Sequence, residues 1–287
     1  MKLGLPSRRP IGEGLAVLAA GLVADAAAEL GHLEKRPVDS VHHARVALKH
    51  ARSVLRLLQK AGADWAVMPR VRLVELGGRM SAAREAAVTA DLARKLARRL
   101  RGRERDVALL LATRQNALVP EGSEAMRRAL AREAQQLGYA PVPAVRPAGL
   151  RDLLRQALDR TCRRYYEAAL KPSRRSVHEW RKAVIVLRDQ VTLAADRWPD
   201  GAGAAQPLLA KFGRRLGRIG DLSLLLAGLQ RPWVPPEFET ARRSVYAQLQ
   251  ARRERETLRA LLRWLKLERE LVELLAEKNR PRRRAPA

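Results

Sequence analysis

The sequence predicts an all-α protein, and three observations carry that prediction. Ala, Leu, Arg and Glu dominate the composition, and all four are good helix formers. Apolar residues recur at helical spacing, with no run of β-branched alternation bounded by turn residues. Pro and Gly fall mostly between the periodic stretches rather than inside them. With 287 residues, 47% of them apolar, the chain is long and hydrophobic enough to bury a real core.

In chain order the periodicity predicts helices over about 11–35, 39–61, 65–98, 104–118, 121–137, 149–171, 174–197, 206–229 and 236–278. The breaks carry Pro37, Gly62, Pro120, Gly138, Pro172, Pro199 with Gly201, and Pro232 to Pro236. The apolar run Leu15 to Val23 follows Arg8 and Arg9, as a signal peptide would, but Asp25 and Glu29 come next and the pattern continues as an amphipathic first helix. No window is expected to supply the ~18–20 apolar residues of a membrane span. Tyr139 to Gly149 carries Pro141, Pro143 and Pro147 and reads as a hinge. It divides a single domain, 11–278, into helical bundles at 11–138 and 149–278. The tail, 279–287, with Arg282, Arg283 and Arg284, reads as a disordered basic segment.

The two halves repeat. Ser40-Val41-His42 matches Ser176-Val177-His178 at an offset of 136. The same offset carries Arg45 to Arg181, Arg52 to Arg188, Gly77 to Gly213, Arg79 to Arg215 and Glu85 to Asp221 without a gap. A constant register over such a stretch implies two similar bundles related by a pseudo-twofold.

Charge points to the partner. Lys and Arg number 57 against 30 Asp and Glu, a net +27. Such a chain repels itself and attracts polyanions. On the helix from Val41, the residues Val41, Ala44, Leu48, Ala51, Leu55 and Leu58 form the core stripe. His42, Arg45, Lys49, Arg52 and Arg56, at spacings of 3 and 4, form a second stripe roughly 110° around the helix. In the second half Val177, Trp180, Val184, Leu187 and Val191 are apolar, while His178, Arg181 and Arg188 flank them with Lys182 beside. A solvated face usually interleaves acids among its cations, yet none stands between His42 and Arg56. A row of guanidinium forks and ammonium groups suits a repeating phosphate. Histidine at the head of each row donates one N–H when neutral and two when charged, and its pKa should rise beside phosphate.

A second track is expected on the helix after Pro207, where Lys211, Arg214, Arg215 and Arg218 share a face, with Arg72, Arg79 and Arg84 as its first-half counterpart. Glu85 and Asp221 are read as braces that orient Arg or His, not as an acid/base pair. Cys162 is the only cysteine, which excludes an intrachain disulfide and a cysteine-based zinc site and fits a reducing cytoplasm. No His-x-x-x-His pair with an acid is present, and His43 and His50 stand about 10.5 Å apart along one helix face, too far to share an ion. No metal, no cofactor and no catalytic residue is expected.

The segments Val41-His42-His43-Ala44-Arg45-Val46-Ala47-Leu48-Lys49-His50-Ala51-Arg52 and Val177-His178-Glu179-Trp180-Arg181-Lys182 resemble the conserved-histidine α-helical domain (CHAD) family. So do Arg84-Glu85 and Leu216-Gly217-Arg218-Ile219-Gly220-Asp221. The resemblance runs from about Ile11 to Lys278. It implies two pseudo-twofold helical bundles that bind inorganic polyphosphate in a basic central groove or channel. It also implies His42, Arg45, Lys49, Arg52, Arg84, His178, Arg181, Lys182, Arg188 and Arg218 as ligands. Two positions depart from the family pattern: Ile185 and His50 stand where a cation is usual, which implies a weaker track. Family members are often fused to a triphosphate-tunnel domain. No Glu-x-Glu-x-Lys pattern is found, so a stand-alone binding domain is expected.

The expected partner is therefore inorganic polyphosphate, with the protein cytoplasmic and associated with polyphosphate granules. Sequence-nonspecific nucleic-acid binding is the alternative. It suits the charge, but aromatics are only 4% and single-strand binders normally add aromatic platforms. Nucleic acid is expected only as a nonspecific competitor.

Overall fold

A computed structural model describes residues 3–5, 9–114, 120–230 and 233–276, and the basic tail expected at 279–287 lies outside them. Ten α-helices make up the described chain: α1 Ile11–Leu30, α2 Pro37–Lys60, α3 Val67–Arg79, α4 Ser81–Ala97, α5 Gly102–Arg114, α6 Ser123–Gly138, α7 Pro147–Leu170, α8 Arg174–Ala194, α9 Ala204–Leu229 and α10 Glu239–Ala276. No strand occurs among the described residues, so the fold is all-α as the sequence predicts.

Local chemistry fixes several ends. Pro37 and Pro147 open α2 and α7, where a missing N–H costs nothing. Ser173 caps α8: its hydroxyl accepts from the Ser176 backbone N–H at 3.0 Å, and Ser176 Oγ accepts from the Ser173 N–H at 2.9 Å.

Two expectations need correction. The single helix expected at 65–98 is broken. A 3-10 turn, Asp64–Ala66, leads into α3, and the chain bends at Met80 before α4. The paired low-propensity residues Gly77 and Gly78 weaken the helix there. Arg45 then takes the Gly77 carbonyl as its own acceptor. The 136-residue counterpart, around Gly213, has one glycine at this point and stays helical within α9.

The second correction concerns α1. It is 20 residues with a mean hydropathy of 1.6, long and apolar enough by length and composition to cross a membrane. The acids Asp25 and Glu29 do not take it below that threshold. Within the fold it is a core helix, packed between α2 and α6, with Leu15, Ala19, Leu22, Val23 and Ala26 buried.

The main core runs without interruption from α1 to α10, so the expected halves 11–138 and 149–278 share it. Leu and Ala fill it on the α1–α2 side. On the other side Tyr165, Trp180, Phe212 and Trp264 form one aromatic cluster with ring centroids 5.3–6.1 Å apart. Burying side chains of this size contributes about 1.5–3 kcal/mol each. A second core joins α4 and α5 to α9 and α10 through Ala93, Val107, Leu111, Leu222, Leu226 and Val245. These packings hold α2 against α8, and α4 against α9.

Candidate anion-binding site

The α2 face divides as its periodicity predicts. Val41, Ala44, Leu48, Ala51, Leu55 and Leu58 are buried. His42, Arg45, Lys49, Arg52 and Arg56 are all half-buried, not fully solvated. On α8, Trp180, Val184, Leu187 and Val191 are buried, and Arg181 and Arg188 are half-buried. The two rows face each other. Burial lowers the Lys49 pKa; Asp189 opposes that shift, while Arg188 and Arg181 from α8, with Arg52, add to it.

One acid at this seam has no counterpart in the sequence reading. Asp189 is buried, its Oδ1 accepting from Arg188 Nη2 at 2.7 Å and Nε at 3.1 Å. Its Oδ2 lies 3.8 Å from Lys49 Nζ on α2. His50, also on α2, places Nε2 3.8 Å from Oδ1. Burial holds the His50 pKa at about 4, so at neutral pH this contact is not an ion pair. The expectation that no acid relieves the α2 row is therefore wrong at Lys49, where α8 supplies one.

It holds further along. Arg52 is lowered by burial and then by Arg70; Arg56 is pushed to about 10 by burial and then by Arg160, Arg70 and Arg52. No carboxylate offsets either shift. Arg70 from α3 and Arg160 from α7 thus join α2 at a guanidinium cluster. Neither was foreseen, because only the packing of α3 and α7 around α2 brings them there. Arg70 Nε is buried without a hydrogen-bond partner.

Glu85 and Asp221 each have an arginine of the rows as neighbour. Glu85 favours the charged form of Arg45, and Asp221 that of Arg181, against the burial that lowers both. Asp221 is itself raised by burial, opposed by Arg181, Lys95 and Arg84, and so links α9 to α8 and α4. Two contacts keep the 136-residue offset: a Cβ on Gly77 would lie 3.6 Å from Arg52 Nη1, and one on Gly213 3.6 Å from Arg188 Nη1. Arg45 and Arg181 differ in detail. Arg45 donates to the Gly77 carbonyl and, at 2.8 Å, to Ser81 Oγ, whereas the Arg181 guanidinium lies against Gly220, with Nη1 2.6 Å from where a Cβ would stand.

The four cations of the expected second track on α9 lie within one arc of about 100°, and one edge of that arc borders α10. Arg215 has Arg263, Glu256, Arg218 and Arg259 as its charged neighbours, so it sits toward α10. Arg214, about 100° from Arg215 around α9, lies two turns before Asp221 on the same helix. Lys211, Arg214, Arg218 and Arg79 are exposed. Arg84 is half-buried and near Asp221, while Lys182 is tied to Glu179 at 2.9 Å. Arg72 is bound by Glu133 through Nε and Nη2 at 2.6 and 2.9 Å. His42 and His178 are held below the ordinary imidazole value, first by burial and then by neighbouring cations. No group of three or more His, Cys, Asp or Glu could hold a metal among the described residues. A shallow cavity beside Val234 and Pro236 lies away from the rows, and its Arg242 and Arg243 are already bound to Glu239.

The fold and site define an all-α protein with two cationic helix faces apposed across its interior. The CHAD domain model matches residues 16–230, and the chain belongs to the CHAD family. Among solved structures it is similar to PptA from Streptomyces chartreusis, with a TM-score of 0.63 and 19% identity over 91% of this chain and 100% of that one. A search of curated proteins returned no match.

Proposed function

We propose that this protein binds inorganic polyphosphate without transforming it, along the seam where the α2 and α8 rows meet. One observation carries the reading: Arg52 and Arg56 are half-buried cations whose charged form is disfavoured by burial and by other arginines, with no carboxylate to offset it. A protein gains nothing in stability from such an arrangement. A linear anion laid along it would restore the balance, each phosphate accepting charge-assisted hydrogen bonds from guanidinium forks. Membership of the CHAD family is compatible with this ligand. The order along the track would be Arg181, Arg188 and Lys49, then Arg52, Arg56, Arg70 and Arg160, with Arg45 and Arg84 braced at its flank. The repeat offset kept by Arg52–Gly77 and Arg188–Gly213 supports a pseudo-twofold relation of the halves.

Nucleic acid is the weaker reading. Trp180, the aromatic nearest in sequence to Arg181, is fully buried in the aromatic core and cannot stack on a base. Competition separates the two. Labelled polyphosphate bound to the protein should resist duplex DNA supplied at equal phosphate concentration. Displacement by the duplex would overturn the polyphosphate reading.

A further inference from the structure

The outer face of α10 carries a second feature, unrelated to the seam. Trp264, Leu267, Leu271 and Leu275 point inward and are buried. Leu258, Leu262, Leu265 and Val272 are 58%, 62%, 45% and 49% exposed. They follow one another at steps of 4, 3 and 7, with Arg269 completing the 4,3,4,3 spacing of a coiled-coil seam. Tyr166 of α7, half exposed, lies alongside, its hydroxyl on Glu268. An apolar stripe of this length on a folded chain marks an interface.

The charges beside the stripe identify what covers it. The N-terminal part of the exposed segment carries a basic excess, Arg252, Arg253, Arg255 and Arg259 against Glu254 and Glu256; beyond Leu265 the acids Glu268, Glu270 and Glu273 outnumber Lys266 and Arg269. Glu270 and Glu273 make no ion pair among the described residues, although the chain has 57 Lys and Arg to 30 acids. Two copies of α10 laid antiparallel, with the twofold axis between Leu265 and Arg269, set Leu262 against Val272 of the partner subunit. Arg259 then meets Glu273 of the partner subunit, and the reciprocal pair forms at the other end. A self-complementary patch of this kind closes as an isologous dimer. We infer that the stripe on α10 is the interface of an antiparallel homodimer. A parallel pairing would instead set Glu268 against Glu273 of the partner subunit, like charges together at the acidic end. In this register Lys266 on one flank and Glu268 on the other each meet their own copy at the axis.

Sedimentation of the full chain tests this, at about 0.3 M salt so that the net charge is screened within less than ~8 Å. The expected species has twice the 32.1 kDa monomer mass. Leu262→Glu should yield monomer with unchanged helicity. Arg259→Glu and Glu273→Lys should each weaken self-association about tenfold, and the two combined should restore it, because the swapped pair re-forms across the axis. Lys266→Ala should tighten the dimer. A monomeric wild type overturns the proposal, as does a dimer indifferent to Leu262→Glu. Monomer that instead floats with anionic phosphatidylserine vesicles would assign the stripe to a lipid surface and overturn it equally.

Discussion

Asp189 Oδ2 lies 3.8 Å from Lys49 Nζ, so a buried carboxylate of α8 reaches the cationic row of α2. The same carboxylate holds Arg188 through Oδ1 at 2.7 Å. Asp189 is thus the internal anion at the middle of the seam, and it competes with any external one. Asp189→Asn should lower stability by about 1–2 kcal/mol. That is less than the loss of a fully buried pair, because Lys49 and Arg188 retain some exposure. The same variant should bind polyphosphate more tightly and gain more in melting temperature from it than wild type does. Thermal melts with and without polyphosphate check both signs.

Gly220 and Gly213 offer a matched pair of tests. An alanine Cβ at Gly220 would stand 2.6 Å from Arg181 Nη1 and 2.9 Å from Cζ; one at Gly213 would stand 3.6 Å from Arg188 Nη1. The first displaces the end of a flexible side chain, and the second makes an ordinary contact. Gly220→Ala should therefore fold normally and lose roughly tenfold in polyphosphate affinity, the value of about one charge-assisted contact. Gly213→Ala should match wild type in the same titration.

Removing charge at the carboxylate-free cluster should have opposite effects on folding and binding. Arg52→Gln with Arg56→Gln relieves repulsion among Arg52, Arg56, Arg70 and Arg160, so the ligand-free melting temperature should hold or rise. Polyphosphate affinity should fall, and its dependence on the logarithm of salt should flatten by roughly 1.4, about 0.7 for each charge lost on a single-stranded polyanion. Titrations at several salt concentrations read both.

The histidines predict two pH effects. His50 is lowered from 6.5 to about 4, so the unfolded chain binds a proton that the folded one does not across that window. Stability is full above pH 6.5 and falls as pH drops from 6.5 toward 4, by about 3 kcal/mol from this group. Binding runs the other way. His42 and His178 are held low without a ligand, and phosphate oxygens beside them would raise both. Binding should take up protons and tighten as pH falls from 7 to 6. Calorimetry in buffers of different ionisation enthalpy measures that uptake, and His42→Gln with His178→Gln should abolish it.

Much of this was legible in the sequence because it is periodic. The α2 stripes at spacings of 3 and 4 place Leu48 in the core and Lys49 at its edge, as observed. Glu85 and Asp221 brace Arg45 and Arg181 at the expected offset. What escaped depends on contacts between distant helices. Asp189 follows Arg188 directly and reads as a local neighbour until α8 is laid on α2. Arg70 and Arg160 carry no pattern that ties them to Arg56. The break at Met80 follows from Gly77-Gly78 together with the Arg45 hydrogen bond, and only the glycines are visible in the sequence. Arg215 has Arg259 and Arg263 as neighbours only because α10 packs on α9, a contact the sequence does not show.

Titration of the wild-type protein with polyphosphates of increasing length at two salt concentrations tests the seam most directly. A seam that runs from Arg181 to Arg160 predicts affinity that rises from triphosphate to long chains and falls steeply with salt, as counterions are released along the polymer. Equal affinity for triphosphate and long chains, or indifference to salt, would contradict it.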